Sequence, residues 1–269
     1  MELFIHGIGV CAPGLPDWPE TCEVLLQNKS YSERPLPKPE PTFLPPNELR
    51  RSSDVVKWSL HVAQEALQYG TIKASEVATV FASSGGELEI LHQLCLALAK
   101  PEPIISPTLF HHSVHNAASG YWTIGVESQQ PSVSLACFDS SFCGGLLETA
   151  TVLQVEHVPV LLVVYDLPPP PPLYAACQLV APFATAFLVG SHQLPHSLAH
   201  LSIQIIQNRQ RETEMKDPLL EGLRKGNPAA RALPLLRAIA TGGTDSIYLN
   251  YLDHHQFMID VTTCQSCQN

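Results

Sequence analysis

The run Val158–Tyr165, VPVLLVVY, is the feature that most restricts how this chain can fold. It is apolar on both alternating faces and rich in β-branched residues. Such a strand is stable only in the middle of a sheet with both faces covered. Helices must then flank it, and the neighbouring segments supply them. Ser140–Val155 reads as a helix immediately before it, and Ser132–Cys137 as a strand before that.

The same alternation runs through the N-terminal part. Leu3–Val10 is a first strand that ends in a turn at Pro13-Gly14. In Ser53–Tyr69, apolar residues at Val55, Trp58, Val62, Ala66 and Tyr69 have helical spacing, with Ser53 as N-cap and Gly70 at the stop. Val77–Ala82 is a short strand that runs into Ser83-Ser84-Gly85-Gly86. Helices follow at Glu87–Ala99 and Ser113–Val126. Beyond Tyr165, the strands Phe183–Val189 and Leu198–Gln207 have no helix between them. Short helices at Pro218–Arg224 and Ala229–Ala238 and one final strand within Ser246–Ile259 complete the pattern. Strands alternating with helices, then consecutive strands, define an α/β layered fold with a mixed sheet. Prolines punctuate it: Pro35 to Pro46 is a long surface loop, and Pro168–Pro172 a stiff connector. No internal repeat is visible.

Charge and cysteine usage narrow the function classes. The net charge of −10 gives no attraction to a phosphate backbone, so no nucleic-acid partner is expected. No apolar run reaches the roughly 18 residues of a membrane helix, and MELFIHGIGV does not read as a secretory signal. Of the eight cysteines, Cys11, Cys95, Cys137, Cys143 and Cys177 lie in apolar surroundings, which fits free thiols in a reducing, cytoplasmic compartment. Charged residues make up only 15% of the chain, as expected where surface is hidden against a partner.

Five segments, in order, resemble the β-ketoacyl synthase family of the thiolase superfamily. IHGIGVCAPG is similar to that family's opening strand and turn, and RRSSDVVKWSLHVAQEAL to its first long helix. VATVFASSGGE resembles its second strand and the glycine-rich turn after it. SVHNAASGYWTIG resembles the segment that lines the dimer interface and the floor of the active site. QPSVSLACFDSSFCGGLLE resembles the strand, nucleophile turn and buried helix. The finer resemblance is to short chain-length-factor-like subunits of aryl polyene and related type II polyketide systems. It implies a thiolase-like layered fold: an N-terminal ketosynthase half with a mixed five-stranded sheet between helices and a truncated C-terminal half. The chain is then a single domain over residues 1–269, with 200–269 as a family-divergent extension.

Ketosynthase chemistry uses a thiolate at the start of a buried helix, where the helix dipole lowers the thiol pKa and the thiolate takes the acyl chain. In the family that cysteine lies eight residues after the proline of a Gly-Pro-Ser motif. Counting from Pro131 reaches Asp139, followed by Ser140, Ser141 and Phe142. A rival alignment puts Cys137 at the nucleophile; Cys143, one turn into the helix, reads as a core thiol. A carboxylate would form a mixed anhydride rather than a thioester, so the resemblance implies an inactive homologue. Two roles remain open for Asp139: a helix N-cap, or a functional one such as polarising a malonyl unit or shaping the partner's pocket.

Twelve histidines invite a metal or catalytic reading. His111, His112 and His115 cluster, as do His254 and His255, but neither group has the spacing of a zinc site, and the CxxC pair Cys264 and Cys267 stands alone. The family's catalytic histidine segments are not recognisable. Neither serine pair forms a G-x-S-x-G elbow. No metal or cofactor is expected. The resemblance instead implies a catalytic ketosynthase as partner, in a heterodimer or an assembly of heterodimers, with the acyl carrier protein engaged mainly through that partner. The candidate interface and tunnel-gating residues are Phe110, His112, Val114, Asn116, Ala117, Gly120 and Tyr121; interface packing without gating is the alternative for them.

Overall fold

The structure, a computed structural model, describes every residue except 37, 69–71, 208–209 and 265–269. The strands are β1 (Glu2–Cys11), β2 (Ala78–Ala82), β3 (Ser132–Leu135), β4 (Val160–Asp166), β5 (Phe183–Gly190), β6 (Ala199–Ile206), β7 (Thr244–Tyr251) and β8 (His255–Thr263). The α-helices are α1 (Trp18–Leu25), α2 (Pro46–Arg51), α3 (Asp54–Gln68), α4 (Leu88–Leu98) and α5 (Pro107–His112). They continue with α6 (Ala117–Gly125), α7 (Ser141–Glu156), α8 (Pro171–Tyr174), α9 (Pro218–Gly226) and α10 (Leu233–Thr241).

All eight strands join one mixed sheet in the order β3-β2-β4-β5-β1-β6-β8-β7. The expected five-stranded half is present as β3-β2-β4-β5-β1, and β6, β8 and β7 extend it. As its composition demands, β4 is buried along its whole length between parallel β2 and antiparallel β5. Alternation along these strands feeds two cores. Val80, Ala82, Leu162 and Val164 face α1, α7, α9 and α10. Phe81, Leu161 and Val163 face α3 and α6.

β1 carries the contact that fixes the second layer. A bulge between Ile5 and Gly7 shifts its register against β5. Gly7 and Gly9 then meet the backbone of α3 directly: a Cβ on Gly7 would lie 1.9 Å from the Ala66 carbonyl oxygen, and one on Gly9 2.1 Å from that of Val62. Helix α3 itself starts as expected, with Ser53 Oγ accepting from the Val56 N–H at 3.1 Å. Its expected stop at Gly70 lies outside the described residues. Glu65, on the sheet-facing side of α3, accepts from the N–H groups of Val10 (2.9 Å) and Trp18 (2.6 Å) and so ties α3 to the end of β1 and the start of α1.

Three expectations need correction. The final strand is a hairpin, β7 and β8, because the polar turn around Asp253 interrupts what reads as one run. Helix α1 has no counterpart in the sequence pattern; Asp17 caps it by accepting from the Glu20 N–H at 2.8 Å, and Pro19 stands in its first turn. The proline connector is partly helical, with Pro171 and Pro172 opening α8, where a missing N–H costs nothing.

Gly9→Ala should lower unfolding stability by about 1–3 kcal/mol, because α3 must move off the sheet. Gly222→Ala in α9, where a Cβ meets nothing within 4 Å, should raise it by up to about 1 kcal/mol. Urea midpoints of the two variants measure both changes.

Candidate functional site

The parallel strands β2, β3 and β4 end on the same edge of the sheet, and their following turns converge there. After β2, the Ser83–Gly86 turn is held by Asp166 at the end of β4. That carboxylate accepts from Ser83 Oγ (3.0 Å), the Ser84 N–H (2.8 Å) and Ser84 Oγ (2.7 Å). Asp166 is buried, and burial pushes its pKa up to about 6 against these hydrogen bonds. Asn227 closes the lower side, donating from Nδ2 to the carbonyls of Asp166 (3.0 Å) and Ala181 (2.9 Å). Glu87, also buried, accepts from Ser53 Oγ at 2.5 Å, and burial raises its pKa to about 7.

After β3 comes the turn expected to hold the nucleophile. Phe138–Ser140 is one turn of 3-10 helix leading into the buried helix α7. Phe138 is exposed and has φ of 51°, a strained value for a residue with a side chain. Asp139 is exposed and does not cap α7. The 3-10 turn makes Ser140 the cap residue, one position later, and no side-chain cap bond forms. The turn is closed by Ser141 instead, whose Oγ donates to the Phe138 carbonyl (2.7 Å) and accepts from the Cys137 N–H (3.1 Å).

The two thiols near this turn differ. Cys143 is buried beside Phe142 and Leu146 in the core, and burial pushes its pKa well above the ordinary thiol range. A neutral thiol in that position is a packing residue. Cys137 is half-buried, with its sulfur against Gly144 of α7; a Cβ there would approach Sγ to 2.7 Å. Cys137, Phe138, Asp139 and Ser140 line a cavity of about 380 Å³ whose other wall is Arg231 and the β7–β8 turn, Asn250 to Asp253. Among the described residues, no histidine hydrogen-bonds to Cys137, Asp139 or Cys143, and no group of three or more His, Cys, Asp or Glu side chains could hold a metal ion. Cys267 of the CxxC pair lies outside the described residues.

The candidate interface residues divide in two. Phe110, Val114 and Asn116 are exposed around the α5–α6 connection, and Gly120 is open, with nothing within 4 Å of a Cβ. His112 is buried, and its ring lies 3.3 Å from the Tyr121 hydroxyl; burial, then the neighbouring His111, lower its pKa. Ala117 packs into the chain's own core with Ala118 and Trp122. The segment is anchored to the site by His115 Nε2 on the Ser83 carbonyl (3.0 Å) and by Ser119 with Ser134 of β3 (3.1 Å). Sequence reasoning missed Asp166, Asn227 and Glu65. Asp166 does leave a signal, as the first charge after six residues of apolar strand, and so does Glu65, three residues after Val62 on the buried side of α3.

Residues 25–246 match the family model of the beta-ketoacyl synthase N-terminal domain, and the chain belongs to that family. No curated protein matches it in sequence. Among solved structures it is similar to a chain of the complex of the ketosynthase ApeO with its chain length factor ApeC from Xenorhabdus doucetiae, with 26% identity, a TM-score of 0.70, and 96% of this chain and 99% of that one covered. The ishigamide ketosynthase/chain length factor has the same fold at 11% identity, with a TM-score of 0.74 over 98% of this chain and 100% of that one. So does the AntDE ketosynthase in complex with the acyl-carrier protein AntF, at 10% identity and a TM-score of 0.74, over 97% and 99%. No described helix is long and apolar enough to cross a membrane.

The buried carboxyls set a pH dependence. Glu65 and Glu87 ionise near 7 rather than 4.5, and Asp166 near 6 rather than 3.8, each chiefly because of burial. The folded chain therefore holds more protons than the unfolded one between those limits. The stability these three groups contribute is fully present below about pH 4 and lost as pH rises through 6 to 7, while His6, whose pKa burial lowers to about 4, contributes in the opposite sense between about 4 and 6.5. Chemical denaturation from pH 4 to 8 should show this slope, and Asp166→Asn should flatten it.

Proposed function

We propose that this chain is a noncatalytic ketosynthase-like subunit, a chain length factor, which pairs with a catalytic ketosynthase and shapes its acyl tunnel in polyene or polyketide biosynthesis. One observation carries the reading: Asp139, a carboxylate with no imidazole hydrogen-bonded to it, stands in the turn before buried helix α7. The likeness to the ApeO–ApeC complex supports the same assignment.

The surface around that turn supports a partner. β3 pairs only with β2, so its outer backbone edge is open to another strand. Ile104, Phe110, Val114, Ile124 and Phe138 are exposed, apolar side chains of the kind that anchor interfaces. Phe110 and Val114 are the side chains placed to reach a partner's tunnel. In this reading the chain is one ketosynthase-like domain, 200–269 being its divergent extension. The acyl carrier protein, generally acidic, docks mainly on the catalytic partner, because this chain is itself acidic.

A half-size active ketosynthase is the second reading. Cys137 favours it, since that thiol is half-buried and lines the cavity at the start of α7; Cys143 is too deeply buried to act.

Incubation with an acyl-loaded carrier protein followed by mass spectrometry separates the two. No adduct is expected on this chain, and an acyl group on Cys137 would establish the second reading. In the reconstituted pair, Phe110→Ala should lengthen the product by at least one two-carbon unit and Val114→Trp should shorten it. Unchanged lengths in both would reduce the chain to a scaffold for its partner.

A further inference from the structure

A cavity of about 570 Å³ opens between the end of α1, the segment before α9, and α10. No residue of the Asp139 turn, of β3 or of the α5–α6 connection lines it, so its chemistry is independent of the chain's role toward a ketosynthase. The floor is apolar. Val24 and Leu25 of α1 meet Met215 and Leu220 there, all four buried. Tyr31 adds only its ring, because its hydroxyl is spent on the Pro13 carbonyl at 3.0 Å. The walls are preformed. The Met215 N–H donates to Glu221 Oε2 at 2.8 Å, and the N–H groups of Asn28 and Lys29 both close on the Glu23 carbonyl at 3.0 and 3.1 Å. Size, apolar floor and fixed walls are those of a small-molecule site.

Arg237 is the polar feature that stands out on this cavity. Helix α10 is buried from Leu233 to Ala240 at every position but this one, and the Arg237 side chain is itself only 20% exposed. A guanidinium carries five N–H donors. Among the described residues those of Arg237 make no hydrogen bond, and their ion pair, with Asp245 Oδ2, spans 4.0 Å. Arg224 shows what a satisfied guanidinium looks like in this chain: Nε and Nη2 each donate to Glu221 at 2.8 Å. A guanidinium drawn out of water with its donors unfilled favours an anion that can reach it. Lys216, exposed on the rim, makes no ion pair among the described residues, whereas Lys29 is already paired with Glu20.

We propose that this cavity binds a small organic carboxylate with an apolar body, the carboxylate held bidentately by Arg237 and the body laid on the floor of α1 and α9. The rim selects the charge of the ligand. Asp217 and Asp245 also line the cavity, and a doubly charged phosphate would face both. Asp217 is committed to capping α9, accepting from the Leu219 and Leu220 N–H groups at 2.8 and 3.3 Å, and Asp245 Oδ1 accepts from the Ser246 N–H at 2.9 Å. A single planar negative charge matches one guanidinium fork and leaves those contacts in place.

Methyl-labelled methionine makes the test specific to the site, because the chain has three methionines and of these Met215 alone lines the cavity. In titrations of the whole chain followed by NMR at neutral pH, octanoate is expected to shift the Met215 methyl signal to saturation and to leave Met1 and Met258 in place. 1-Octanol, which keeps the body and lacks the charge, and inorganic phosphate, which has charge and no body, should each bind at least about tenfold more weakly. Arg237→Gln should weaken octanoate by at least about tenfold. A Met215 signal unmoved by millimolar octanoate would overturn the proposal. So would octanol or phosphate acting as readily as octanoate, or an Arg237→Gln chain that binds it unchanged. If that variant does not fold, the comparison of the three probes on the unaltered chain decides.

Discussion

The close seating of α3 on β1 is the constraint from which the site's geometry follows. With Gly7 and Gly9 beneath it, the helix lies against strand backbone rather than side chains. Its distance from the sheet is then set by main-chain atoms meeting main-chain atoms, which have no rotamers to adjust. A helix held that rigidly can present single polar groups at fixed points. Glu65 meets the N–H groups at the end of β1 and the start of α1, and Ser53, at the other end of α3, meets Glu87 behind the Ser83–Gly86 turn. The turns at the carboxyl edge of the parallel strands are thus referred back to the same helix.

That edge has the framework of the beta-ketoacyl synthase family. The strand, the tight turn and the buried helix α7 are all present, and Asp166 with Asn227 locks the adjoining turn. A catalytic thiol needs partial exposure, a helix start and a nearby cation or imidazole. Cys143 lacks the exposure, whereas Cys137 is half-buried in the turn before α7 and lines the cavity that Arg231 also lines. The framework has a structural role of its own: α7 fills the core on one face of the sheet with Phe142, Leu146 and Leu153. The exposed Asp139 side chain takes no part in that packing.

Most of the fold was legible because it rests on periodicity. The apolar run of β4 and the helical spacing in α3 identify themselves, and the Ser53 cap obeys local rules. What escaped depends on contacts distant in sequence. The hairpin β7–β8 has modest apolar content, because β7 is half exposed, and only its pairing with β8 and the covering segment around Thr213 make it a strand. Helix α1 is short, and its stability comes from Trp18, Cys22 and Leu25 packing into the core. The cap expected at Asp139 failed for a local reason invisible in composition: a single 3-10 turn shifted the cap position by one residue. The site was legible as a location. The Asp166 clamp was not, since it joins residues more than eighty positions apart.

The two edges of the sheet meet the hazard of unwanted strand pairing differently. An open strand edge invites pairing with another chain. At β7 that edge is covered from within: Thr213 exchanges hydrogen bonds with Tyr248 at 2.9 Å in both directions, and Glu212 takes the Asn250 N–H. At β3, only four residues long, the outer edge stays uncovered. The asymmetry leaves one edge, in the strand before the Asp139 turn, without a second pairing strand among the described residues.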